Sequence, residues 1–84
     1  MRYTLIIKPK AEKHFEKIPK EFQQKIKIAF LALAEDPFLG KKLSGKYSGQ
    51  YSLRVWPYRI IYEIYKNQLM IVVVDVDHRQ GVYK

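Results

Sequence analysis

Three β-prone runs close this 84-residue chain, at 51–55, 58–65 and 69–76, separated by Trp56-Pro57 and by Lys66-Asn67-Gln68. Runs this short, punctuated by turn residues, predict an antiparallel meander. So small a sheet is marginal alone and must lay one face on an apolar partner. The first half of the sequence supplies that partner. Residues 3–7 read as a short strand ended by Pro9, which suits the first turn of a helix. From Ala11, the positions Ala11, His14, Phe15 and Ile18 follow the i, i+3, i+4, i+7 spacing of one helix face, and Pro19 closes that helix. Phe22, Ile26, Ala29, Phe30 and Leu33 repeat the pattern in a second helix that should stop near Asp36-Pro37. The expected fold is therefore α+β: an N-terminal strand, then a helical hairpin packed on an antiparallel sheet, with residues 1–84 forming one domain.

Between residues 39 and 50 the periodicity disappears, and Gly40, Lys41, Lys42, Ser44, Gly45, Lys46, Ser48 and Gly49 read as a basic loop. Charge is the unusual property of the composition. Sixteen Lys and Arg against eight Asp and Glu leave a net +8, spread over both halves, which points to a polyanionic partner. Cysteine is absent, so disulfides and thiolate metal sites are excluded. The N-terminus lacks the apolar run of a secretory signal, and no apolar stretch approaches membrane-spanning length. A cytoplasmic protein without a membrane partner is expected.

The turn at Trp56-Pro57 constrains the next step. Pro57 cannot take the positive φ of a type I′ turn, so a wider loop is expected there. Any even-length loop centred on it places Arg54 opposite Arg59. Directly opposed like charges destabilise a sheet, and an anion held between them would offset that cost. Guanidinium is a planar, permanently charged fork that matches phosphate oxygens bidentately. The competing structural reading pairs Arg59 with Glu63 or Asp75. The segments Tyr58-Arg59-Ile60-Ile61-Tyr62 and His78-Arg79-Gln80-Gly81-Val82-Tyr83 each set an arginine beside a tyrosine.

Other chemistry finds less support. Asp75-Val76-Asp77-His78 offers three ligand types, but strand alternation sends Asp75 and Asp77 to one face and His78 to the other, so solvated acids rather than a metal site are expected. No cofactor is expected. His14 lies on the core face of its helix and reads as a structural histidine. Tyr51, Tyr58, Tyr62 and Tyr65 read as core or sheet-face residues, and Trp56 as packing on its own loop. Cleavage of RNA remains open to such a chain, because the ribose 2′-hydroxyl is a built-in nucleophile. Arginine and tyrosine are poor bases at neutral pH, so such a site depends on a well-oriented substrate.

Taken in order, Ile18-Pro19, Asp36-Pro37, Lys42-Leu43-Ser44-Gly45, Gly49-Gln50-Tyr51-Ser52-Leu53-Arg54-Val55, the Arg59 segment through Ile64 and the His78 to Tyr83 segment resemble the RelE/ParE superfamily of toxins from type II toxin-antitoxin modules. The RelE branch of that resemblance implies a metal-independent endoribonuclease that cuts mRNA in the ribosomal A site. Matched by position, Arg59 would stabilise the phosphate and Arg79 the leaving group. Tyr83 would stack on or activate the substrate, and Arg54 would take a basic position implicated in proton abstraction. Lys41, Lys42, Lys46, Ser52 and His78 would contact RNA or ribosome. Ser52 stands where the family's nucleases can carry a second lysine, and Asp77 where glycine is common, departures that bear on catalytic strength. The resemblance also implies a small RelB-like antitoxin, assembled with the toxin as a hetero-oligomer. Its alternatives are a ParE-like inhibitor of DNA gyrase that hydrolyses nothing, and an RNA- or ribosome-binding module whose catalysis has decayed.

Overall fold

The computed structural model describes residues 2–78. Strand β1 (Thr4–Ile7) leads through extended Lys8 into helix α1 (Pro9–Glu16), with the proline in the first turn where a missing N–H costs nothing. Helix α2 (Lys20–Glu35) follows after Pro19, whose carbonyl accepts hydrogen bonds from Phe22 and Gln23. Gln23 also reaches back to donate its side-chain amide to the carbonyls of Phe15 and Glu16, capping the exposed end of α1. Asp36 ends α2 and accepts the N–H of Phe38, starting a 3₁₀ turn at Pro37–Leu39. Strands β2 (Lys41–Lys42), β3 (Tyr51–Val55), β4 (Tyr58–Tyr65) and β5 (Met70–His78) complete the order.

The sheet runs β1-β5-β4-β3-β2. As expected, β3, β4 and β5 form an antiparallel meander, and the helical hairpin supplies its apolar partner. Two features depart from the sequence reading. Lys41 and Lys42 pair antiparallel with Ser52 and Tyr51, so part of the basic loop is an edge strand. β1 pairs in parallel with β5, Thr4 to Met70 through Ile7 to Val73, which makes the sheet mixed. Parallel pairing needs a crossover of helical length, and α1 with α2 provides it.

Ala11, Ile18, Ile26, Phe30 and Leu33 from the helices close on Ile60, Tyr62, Ile71, Val73 and Val76 of β4 and β5. Each fully buried Ile or Leu contributes about 1.5–3 kcal/mol. The spacing of Val73 and Val76 is diagnostic. Both are 0% exposed although three residues apart, because a bulge between Ile61 and Tyr62 pairs Ile61 with Asp75 but Tyr62 with Val73. Val74 is the extra residue, and the bulge resets which way the strand's C-terminal half points.

Tyr62 buries a polar group in this core. Its hydroxyl donates to the Pro37 carbonyl at 2.8 Å and accepts the Gly40 N–H at 3.0 Å, so the phenol ties β4 to the turn after α2. Burial pushes its pKa up. Gly40 has no room for a side chain, since a Cβ there would overlap the Tyr62 hydroxyl and lie 2.8 Å from the Ser52 carbonyl oxygen.

Candidate RNA-binding face

The connection from β3 to β4 is a two-residue turn, Trp56-Pro57, closed by Val55 opposite Tyr58. It is narrower than expected, and the Trp56–Pro57 peptide within it is cis. The even loop length sets Arg54 opposite Arg59, as the turn required. On the next strand Arg59 stands opposite Asp77. A transverse row, Arg54–Arg59–Asp77, thus crosses three strands.

Arg54 is exposed and makes no ion pair among the described residues. Arg59 is half-buried, and Glu63 and Asp75, the acids expected as its structural partners, also make contacts of their own. Glu63 accepts from Gln50 and from the Tyr65 hydroxyl. Asp75 meets α1: its Oδ1 lies 2.6 Å from Nδ1 of His14, and its Oδ2 3.6 Å from Nζ of Lys10. The row is held on paired strands, so its spacing is fixed by the ladder rather than by loops.

Lys41, Lys42 and Lys46 are exposed beside β3, at the same edge of the sheet as Arg54. His78 is exposed, with its ring edge-on to Tyr58 at 5.7 Å. Ser52 differs from the other expected contact residues. It is 5% exposed and its Oγ has no hydrogen-bond partner among the described residues, so it is a buried hydroxyl rather than a surface contact. Arg79 and Tyr83 lie outside the described residues. The tyrosines behave as expected of structural residues. Tyr51 stacks on Tyr62 at 5.6 Å, Tyr58 meets Phe22 edge-on, and the bond to Glu63 holds the Tyr65 phenol above its usual pKa. Trp56 keeps 58% of its surface exposed, more than packing on its own loop predicts.

A 470 Å³ hollow lined by Tyr51, Ile64, Tyr65 and residues 66–68 lies toward the other end of β4 from Arg59. Arg54 presents its charge on the exposed surface of the sheet, an arrangement suited to contact with a polymer. The sequence reading missed the meeting of His14 with Asp75. The signal was present in two parts, a histidine on the core face of α1 and an acid inside an apolar strand, but nothing in the sequence showed that α1 lies beside that strand. No helix of the described residues is long and apolar enough to cross a membrane.

Comparison with known proteins agrees with this geometry. Residues 5–83 match the profile of a family described as the ParE toxin of the type II toxin-antitoxin system parDE. The chain is 30% identical over 86 residues to Toxin RelG of Mycobacterium tuberculosis, spanning 100% of this chain and 99% of that protein. A chain of the RelBE2 toxin-antitoxin complex of the same organism superposes with a TM-score of 0.87 at 30% identity, covering 94% of this chain and 100% of that one. The fold is also shared by the archaeal RelE–RelB complex of Pyrococcus horikoshii, with a TM-score of 0.81 at 23% identity, over 98% of this chain and 100% of that one.

Proposed function

This chain belongs to the ParE toxin family of type II toxin-antitoxin systems, within the RelE/ParE superfamily, and we propose that it stops translation by cutting mRNA in the ribosomal A site. The observation that carries this reading is Arg54 set opposite Arg59 on adjacent strands, a like-charge pair that an RNA phosphate between them would relieve.

In the proposed reaction the ribose 2′-oxygen forms a bond to phosphorus as the bond to the 5′-oxygen of the next nucleotide breaks. A 2′,3′-cyclic phosphate and a 5′-hydroxyl result. Arg59, with Arg79, stabilises the charge on the phosphoryl oxygens and the leaving oxygen, Arg54 neutralises the attacking side, and Tyr83 stacks on or activates the substrate. Fixed positive groups of this kind usually contribute the largest share of rate acceleration. None of these side chains is a good base at neutral pH, so in-line presentation by the ribosome supplies what the protein lacks. Lys41, Lys42 and Lys46 add sequence-independent phosphate contacts. The reaction and its ribosomal setting place the protein in the cytoplasm. The toxin-antitoxin complexes among its structural relatives support a neighbouring antitoxin as its partner.

The matched family profile is that of ParE, which favours a second reading, inhibition of DNA gyrase by binding alone. One experiment separates the two. Wild-type protein added to purified translating ribosomes should produce cuts within the A-site codon by primer extension. Absence of cuts, together with loss of supercoiling by purified gyrase, would support the second reading instead.

A further inference from the structure

Beyond β1's last pair, Ile7 with Val73, no strand among the described residues lies beside the edge of β5, and α1 starts two residues after β1 ends. Here three ligand-bearing side chains converge. His14 from α1 and Asp75 and Asp77 from β5 each offer a ligand atom, all within 4.8 Å of one another. From this arrangement we infer that His14, Asp75 and Asp77 form a binding site for a divalent transition-metal ion.

An ordinary salt bridge accounts for Asp75, which faces His14 and Lys10, but not for Asp77. Two carboxylates at alternate positions of one strand repel each other, and this chain has only eight acids in all. A cation shared between them removes that cost. One oxygen of each carboxylate is taken by the backbone: Asp75 Oδ1 accepts the Val76 N–H and Asp77 Oδ1 the His78 N–H. Asp75 Oδ2 already has a cation near it, Lys10 at 3.6 Å, whose side chain is 67% exposed and able to swing away.

One imidazole nitrogen with two carboxylates is a mixed N/O set, which suits zinc, manganese or nickel better than magnesium or calcium. Coordination requires the three donors, now within 4.8 Å of one another, to close to about 2.0–2.2 Å from a common ion. The cations facing the site are Lys10 from α1 and Arg59 across the ladder from Asp77, and they limit its affinity; His78, next in sequence, is exposed with its ring against Tyr58. A bound ion neutralises both acids and extends the cationic row from Arg54 through Arg59 to the edge of β5. The inference does not depend on the ribonuclease reading.

Isothermal titration of the full chain with zinc chloride, in a buffer that does not chelate zinc, tests it. One ion per chain is expected. Asp77→Asn and His14→Ala should each weaken binding by about tenfold or more. His78→Ala should leave binding unchanged and Lys10→Gln should tighten it. The hydrogen bond of the Asp77 carboxylate is to the His78 N–H of its own strand, so Asp77→Asn keeps the test valid should His14→Ala unseat the helix. Absence of saturable binding overturns the inference, as does binding that is insensitive to Asp77→Asn or is lost in His78→Ala.

Discussion

Arg54 on β3 and Asp75 on β5, with β4 between them, are both charged residues of the same sheet, yet their surroundings are opposite. Asp75 is met by His14 and Lys10, so its charge is answered within the chain and fastens α1 to the edge of β5. Arg54 faces another arginine and forms no ion pair among the described residues. A charge answered internally contributes to holding the fold. Like charges opposed on rigid strands cost stability and point to a ligand outside the chain.

Substitutions at the arginine pair and at Asp75 should therefore fail in different ways. Arg59→Ala should lower ribosome-dependent cleavage about 10²–10³-fold, the usual cost of losing one transition-state donor, without lowering the melting temperature. Unfolding of Arg59→Ala would mean that Arg59 and Asp75 are both structural and would break the contrast. Asp75→Asn should do the reverse, costing about 1–3 kcal/mol in denaturant unfolding while each folded molecule retains its activity. The exposed Lys10 contact supplies little of that, and the His14 bond most of it.

Tyr62 extends the contrast to pH. Tyr62→Phe leaves the Gly40 N–H and the Pro37 carbonyl without their partner and should cost about 1–3 kcal/mol. Because its folded pKa is raised, the native state keeps a proton that the unfolded chain loses. Its contribution is present in full below the ordinary tyrosine pKa of about 10 and is lost as pH rises through the folded value. Alkaline denaturation should begin above that ordinary value and start no later in Tyr62→Phe than in wild type. The smallest effect is expected at the basic edge. Lys46→Ala should weaken RNA or ribosome binding a few-fold and reduce the salt slope of log K by about 1.

Much of this was legible in the sequence because it depends on local pattern. The helical spacing of Phe22, Ile26, Phe30 and Leu33 gave the hairpin, and even loop length at Trp56-Pro57 was enough to oppose Arg54 and Arg59. What was not legible depends on contacts distant in sequence. Lys41 and Lys42 have no strand-like pattern and pair only because β3 presents an open edge. The bulge at Val74 and the place of α1 beside β5 arise from tertiary packing, so the His14–Asp75 contact, 61 residues apart, could not be read from spacing. Ser52, expected at the RNA surface, is buried because position in a strand fixes the face but not what covers it.

The central claim is that the opposed arginines of β3 and β4 act on RNA while Asp75 of β5, bound to α1, holds the fold. Its most direct test is primer extension on a defined mRNA in purified translating ribosomes, with wild type, Arg59→Ala and Asp75→Asn side by side at equal folded concentration. Cuts within the A-site codon from wild type and Asp75→Asn, with none from a folded Arg59→Ala, are the predicted result. Equal cutting by wild type and Arg59→Ala, or no cutting by folded wild type, would contradict it.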